Sequence, residues 1–270
     1  YIVALFLGFL IPFSIALVLF LLDNTIQNQE DIAKLTTLPL IGTLGRKTDI
    51  SNLIVFEKPK SGMAEAFRAI RSSLQFLYKN KSADQSKVIM ITSSISGEGK
   101  TFSSINMATV YALSGKKTVL VGLDLRKPRI YQDFNFTNDV GAVNYLIGQK
   151  SLEEITNTTE IPFLDAISSG PIPPNPSELI MSDQMNQLLK ELKAKYDYII
   201  LDTPPLGLVT DALELAKDAD VILYVVRQNY TKKEMVKSLN HRIKRGELNN
   251  VSLVLNGYES KANYGYGYGY

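Results

Sequence analysis

Residues 87–122 read KVIMITSSISGEGKTFSSINMATVYALSGKKTVLVG, and the order of patterns within them decides the fold. The opening run, KVIMITSS (87–94), is short, apolar and rich in β-branched residues, the pattern of a buried strand. A turn with two glycines follows, then a stretch of helical character closed by Gly115. A second apolar run, TVLVGLDL (118–125), comes next. Strand, turn, helix and strand make a βαβ unit, whose strands are parallel and whose crossover is right-handed. The expected class is α/β: a mostly parallel sheet flanked by helices.

The turn itself, SISGEGKT (94–101), fits the phosphate-loop pattern G-x-x-x-x-G-K-[ST] with Ser94 in place of the first glycine. Gly97 and Gly99 let the backbone curl so that successive N–H groups face one point, and the helix start adds positive partial charge there. Lys100 can reach the β- and γ-phosphates, and the Thr101 hydroxyl can ligate Mg2+. A turn with a surface lysine is the plainer reading. The position, after an apolar strand and at a helix mouth, favours a nucleotide site of the P-loop NTPase type, with Ser96, Gly97, Glu98, Gly99, Lys100, Thr101 and Phe102 as its candidate lining.

Such a site needs a carboxylate for the metal. YDYIILDTPP (196–205) supplies an apolar strand, Tyr198 to Leu201, ending in Asp202, where a strand-end acid faces the phosphate loop. Asp124 ends another strand and is followed by Arg126 and Lys127. It is either a solvated strand end or a group that accepts a proton from a nucleophile attacking the γ-phosphate. The proline-rich segment SGPIPPNPSELI (169–180) is a rigid loop before a helix. Asn256, in VSLVLNGY (251–258), is either a turn residue or an amide that reads a base edge.

The flanks carry other signals. Residues 2–22 run 21 residues without a charge, enough helix at about 1.5 Å per residue for the roughly 30 Å hydrocarbon core of a bilayer. With no basic n-region or small-residue cleavage site, a membrane span fits better than a signal peptide. Pro12 should kink it, which bilayer helices tolerate. The chain opens on Tyr1 rather than Met, so it reads as part of a longer protein. Residues 23–60 read as a juxtamembrane linker punctuated by Pro39, Gly42 and Pro59, which either packs on the next domain or tethers it, and residues 61–257 as an α/β domain, opening with an amphipathic helix (Ala66, Ile70, Leu74, Leu77). The tail, 258–270, ends in NYGYGYGY. It is either a low-complexity end or a set of mobile hydroxyls at Tyr264, Tyr266, Tyr268 and Tyr270. A net charge of +2 gives no argument for nucleic acid, and the absence of cysteine excludes disulfides, thiolate metal sites and a cysteine nucleophile.

Together these pieces resemble the bacterial tyrosine kinases (BY-kinases) of capsular and exopolysaccharide assembly, relatives of the MinD/ParA-type P-loop ATPases. Their Walker A motif falls on Ser94–Thr101 and Walker B on IILDTPP with Asp202. Walker A′, D-x-D-x-R in the family, reads GLDLR, with Gly122 for the first aspartate and Asp124 and Arg126 retained. The E-x-x-R-x-x-R oligomerisation motif matches Glu65, Arg68 and Arg71. The resemblance implies an ATP- and Mg2+-dependent autokinase. Lys100, Asp124 and Asp202 would be catalytic, Thr101, Asp124 and Asp202 metal-holding, Arg126 and Asn256 nucleotide-contacting, and the four tail tyrosines the acceptors. In the single-chain form of the family the span is the last helix of a polysaccharide co-polymerase module. The kinase domain would then lie on the cytoplasmic side of the inner membrane. Implied partners are a second copy of the chain, a tyrosine phosphatase and the polysaccharide polymerisation and export machinery. Two alternatives stay open: a MinD/ParA-like switch ATPase that transfers phosphate to water, and a co-polymerase scaffold that binds nucleotide to form rings.

Overall fold

The computed structural model describes residues 1–78, 82, 85–207 and 211–259. The chain opens with helices α1 (Ile2–Leu22) and α2 (Gln29–Leu35), strand β1 (Leu40–Gly45), and helices α3 (Ile54–Glu57) and α4 (Gly62–Gln75). The βαβ unit follows as β2 (Lys87–Ser93), α5 (Lys100–Ala112) and β3 (Thr118–Gly122). Short helices α6 (Ile130–Asp133), α7 (Ala142–Leu146) and α8 (Leu152–Ile155) lead to strands β4 (Asn157–Thr158) and β5 (Leu164–Ile167). The remainder is α9 (Pro176–Ile180), α10 (Asp183–Lys195), β6 (Tyr198–Asp202), α11 (Asp211–Ala216), β7 (Val221–Arg227), α12 (Lys233–Lys244) and β8 (Val251–Tyr258).

The strands form one eight-stranded sheet in the order β1-β8-β7-β2-β6-β3-β5-β4. Every pairing is parallel except β4 with β5. The central strands β2, β6 and β3 are buried along their whole length, which explains why they read as unbroken apolar runs rather than alternating ones. Successive side chains serve opposite layers. Val88 and Met90 of β2 join the core under α10 and α12, while Ile89 and Ile91 join the core under α4 and α5. Helix α5 is buried on nearly all sides, so the phosphate-loop helix is a central element of the domain.

Of the two arrangements open to residues 23–60, the structure has them packed on the domain. Strand β1 pairs with β8 and extends the sheet by one edge. Upstream of it, Ile26 is fully buried, and its N–H donates to the Thr231 carbonyl at 2.8 Å while its carbonyl accepts from Asn229 N at 2.8 Å. Helix α4 lies across β1. Its buried stripe is Ala64, Phe67, Ile70 and Leu74, with Ala66 and Leu77 only partly covered. Contact with β1 is so close that a Cβ on Gly42 would sit 2.2 Å from Ile70 Cγ1.

Helix α1 runs 21 residues with Pro12 inside it and no charged side chain. Phe6, Phe9, Ile11, Phe13 and Ile15 are exposed on it. Counted over the described residues alone, no helix is long and apolar enough to cross a membrane.

Because β1 and α4 meet without space for a side chain, Gly42→Val should destabilise the domain by about 1–3 kcal/mol through overpacking. Chemical denaturation monitored by circular dichroism measures this. An unchanged midpoint would contradict the close packing.

Candidate active site

The loop between β2 and α5 owes its shape to two glycines. Gly97 (φ 92°) and Gly99 (φ 98°) lie in the left-handed region, and Gly99 caps α5. Ser94, where the motif has its first glycine, is not among the described positive-φ residues. It is buried, with its hydroxyl 2.7 Å from Tyr224 Oη, so a serine is tolerated because no special backbone conformation is needed there. Beyond the loop opens a cavity of about 360 Å³ lined by Ser96, Gly97, Gly99, Lys100, Thr101, Phe102, Asp124, Lys127 and Arg129. Three cations against one lining carboxylate, at the mouth of a 13-residue helix, favour a polyanion.

The acids stand at two depths. Asp124 lines the cavity; its Oδ2 lies 3.7 Å from Lys100 Nζ and its Oδ1 accepts from Lys127 N at 3.1 Å. Asp202 sits one layer behind, 2% exposed, accepting from Thr101 Oγ1 at 2.8 Å and Ser104 Oγ at 3.0 Å. Burial pushes its carboxyl above the ordinary value, opposed by the Lys100 charge and the two hydroxyls. Thr101 donates its proton to Asp202 and lines the cavity, so its hydroxyl oxygen keeps lone pairs with which to ligate. Among the described residues no three acidic or histidine side chains cluster as a closed metal cage. A hydroxyl backed by one carboxylate, next to a phosphate cradle, is instead the donor set of Mg2+, which takes few protein ligands and completes its shell with phosphates and water. The residues present therefore fit Mg-nucleotide.

Comparison with known proteins gives this geometry a family. Residues 86–253 match the AAA domain family. The chain is 36% identical over 217 residues to a tyrosine-protein kinase, YwqD, of Bacillus subtilis, covering 80% of this chain and 90% of that protein. The kinase domain of the Escherichia coli tyrosine kinase ETK superposes with a TM-score of 0.76 at 31% identity, covering 86% of this chain and 94% of that one. The chain belongs to the bacterial tyrosine kinases of capsule synthesis. The chimerical protein CapA2B2 superposes with a TM-score of 0.79 at 36% identity, over 86% of this chain and 100% of that one. A putative tyrosine-protein kinase from the cps region of Klebsiella pneumoniae is 34% identical over 97% of this chain, which spans 38% of that protein. MinD of Pyrococcus horikoshii, at 22% identity and a TM-score of 0.55, shares the fold.

Within this kinase, several of the expected site residues make contacts outside the cavity. The Glu98 side chain is fully buried and turned away from the cavity, bonded to the Thr231 hydroxyl and accepting from Ile95 N at 2.8 Å. Burial raises its pKa. It shapes the loop from behind. Asn256, expected to read a base, donates from Nδ2 to the Glu98 carbonyl at 2.8 Å and accepts from Gly257 N, so both ends of its amide are engaged by backbone. Arg126 is directed to Ser177 Oγ of α9 at 3.0 Å and does not line the cavity. Of the motif on α4, Glu65 and Arg68 pair at 2.5 Å, with Glu65 largely exposed, whereas Arg71 donates to the Val110 carbonyl at 2.9 Å and ties α4 to α5. Tyr264, Tyr266, Tyr268 and Tyr270 lie outside the described residues.

Sequence reading missed Ser104, Lys127 and Arg129. The basic run RKPR after Asp124 was the available signal for the last two. Ser104 carried none, because only the helix–strand contact reveals that it faces Asp202. Gly122 ends β3 opposite Asp202. A Cβ there would meet Ser169 Oγ at 2.9 Å and Ser169 N at 3.2 Å. The space beside Gly122 is thus taken by the loop after β5.

The pKa shift of Asp202 has a direct stability consequence. The folded chain holds this proton more tightly than the unfolded one, so the group favours folding below the ordinary aspartate value and costs stability as pH rises through the shifted one. Asp202→Asn should therefore raise the Tm of the nucleotide-free kinase near neutral pH and lose that gain below about pH 4, where aspartate protonates anyway. Thermal unfolding at the two pH values decides it. A variant less stable than wild type at neutral pH would contradict the buried-charge account.

Proposed function

We propose that this kinase is a membrane-anchored autokinase that transfers the γ-phosphate of Mg-ATP to tyrosines in the C-terminal tail of a neighbouring copy, and that it thereby regulates polysaccharide chain assembly and export. The observation that carries this reading is the facing pair Lys100 and Asp124 on the cavity wall, 3.7 Å apart. One side is cationic, suited to the phosphoryl group. The other is a carboxylate, suited to the proton of the incoming hydroxyl.

The chemistry follows from the residues. Loop N–H groups and Lys100 hold the β- and γ-phosphates and neutralise charge as it develops. Thr101, Asp202 behind it and Asp124 would hold Mg2+, which would supply positive charge against the phosphates. Tyrosine hydroxyls have a free pKa near 10 and are poor nucleophiles at neutral pH, so a base at the point of attack is useful. Asp124, exposed to the cavity and beside Lys100, accepts that proton. Lys127 and Arg129 widen the cationic rim that an ATP triphosphate would meet.

The anchor is supported by two observations. Helix α1 exposes bulky apolar side chains along its length, a surface that soluble chains seldom present to water. The alignment with the Klebsiella relative takes in 97% of this chain, so most of α1 has a counterpart in that protein. The kinase domain then lies on the cytoplasmic face of the inner membrane, where ATP is available. The exposed Glu65–Arg68 pair on α4 offers a contact for a second copy, whose tail tyrosines would be the acceptors. A tyrosine phosphatase would reset the cycle.

Incubation of the full chain with Mg-ATP and mapping by mass spectrometry should find phosphate on Tyr264, Tyr266, Tyr268 and Tyr270. Replacement of these four by Phe should remove most phosphotyrosine, and phosphate confined to other sites would refute the tail assignment. Asp124→Asn should lower the rate of phosphotyrosine formation by about 10²–10⁴-fold, the range for a general base. An unchanged rate would remove Asp124 from the mechanism.

A further inference from the structure

The carbonyls of the phosphate loop need donors of their own. The turn between β7 and α12 supplies two of them. Tyr230 Oη donates to the Ser96 carbonyl at 2.9 Å, and Arg227 Nη1 donates to the Gly97 carbonyl at 2.7 Å. The Thr231 hydroxyl from the same turn bonds the buried Glu98 carboxylate. The guanidinium of Arg227 lies over the Tyr230 ring, 5.1 Å from its centroid, so the two donors brace each other.

Gly97 records the same contact from the other side. A Cβ on it would sit 2.7 Å from Tyr230 Oη. The missing side chain that the sequence offers as room for phosphate is therefore also what admits the tyrosine to the back of the loop. The turn is itself held closed: Arg227 N donates to Thr231 Oγ1 at 2.8 Å and Thr231 N donates to the Arg227 carbonyl at 3.0 Å.

We infer that Tyr230, with Arg227 and Thr231, is the positioning clamp of the phosphate loop, holding it in its nucleotide-binding shape before the phosphates arrive. The inference rests on the nucleotide reading of the cavity. None of the three residues lines it, so they act through the loop. A loop ordered in advance spares the ligand that ordering cost, so loss of the clamp is felt in affinity more than in turnover. Tyr230 is 40% exposed, and removing its hydroxyl disturbs no core packing.

The test is made on the full chain with Mg-ADP binding by calorimetry, alongside phosphotyrosine formation at varied ATP. Tyr230→Phe should weaken Mg-ADP binding and raise KM for ATP by roughly three- to tenfold, the worth of one neutral hydrogen bond. kcat should stay within about twofold and Tm should not move. Thr231→Val should weaken binding similarly, and Thr231→Ser, which keeps the hydroxyl, should restore it. Unchanged Mg-ADP affinity in Tyr230→Phe overturns the clamp while leaving the kinase reading intact, and so does an affinity loss that only follows a fall in Tm. Failure of the wild-type chain to bind Mg-ADP would instead remove the nucleotide reading, and the clamp with it.

Discussion

The contact on which the rest depends is the buried Asp202 carboxylate bridging two hydroxyls of α5, Thr101 and Ser104. It locks the first turn of the phosphate-loop helix to the end of the central strand β6. The position of that helix start fixes where Lys100 emerges and where the loop N–H groups converge. A carboxylate in that place is costly when ionised and alone, and its pKa is raised by burial. The neighbouring Lys100 offsets the cost only in part. The fold therefore holds, at its centre, a carboxyl group whose ionised form is disfavoured by burial and favoured by neighbouring positive charge.

Glycines set the second constraint, and they differ in what their bare Cα makes possible. At Gly97 and Gly99 the backbone adopts a left-handed conformation, and the vacated Cβ positions are filled from behind by Tyr230 and Asn256. At Gly122 the vacated space belongs to Ser169. The first two shape the loop around its ligand. The third brings the loop after β5 against the end of β3, while Asp124 and Asp202 stand at separate depths.

Legibility in the sequence follows burial. The strands β2, β3 and β6 read correctly because burial on both faces makes them continuous apolar runs, and the phosphate loop read correctly because its chemistry demands particular residue types at fixed spacing. Strand β1 was hidden. LPLIGTLG combines a proline, two glycines and a partly buried pattern, which alone resembles a loop, and only pairing with β8 makes it a strand. The roles of Glu98, Asn256 and Arg126 were hidden for another reason. The motif places their backbones near the site, but the direction of each side chain is set by partners far along the chain, Thr231 for Glu98 and Ser177 for Arg126. Asn256 is held by Glu98's own carbonyl, so an amide suited to a base edge is already committed to the loop.

The central claim is that the γ-phosphate goes to tyrosine and not to water. Its most direct measurement is the partition of label from γ-labelled ATP between free phosphate and protein phosphotyrosine in a single reaction of the full chain with Mg2+. The account predicts that phosphotyrosine accounts for most of the label until the acceptors are filled, after which ATP consumption slows. Steady release of free phosphate with no phosphotyrosine would contradict it, and would make the same cavity that of a switch ATPase.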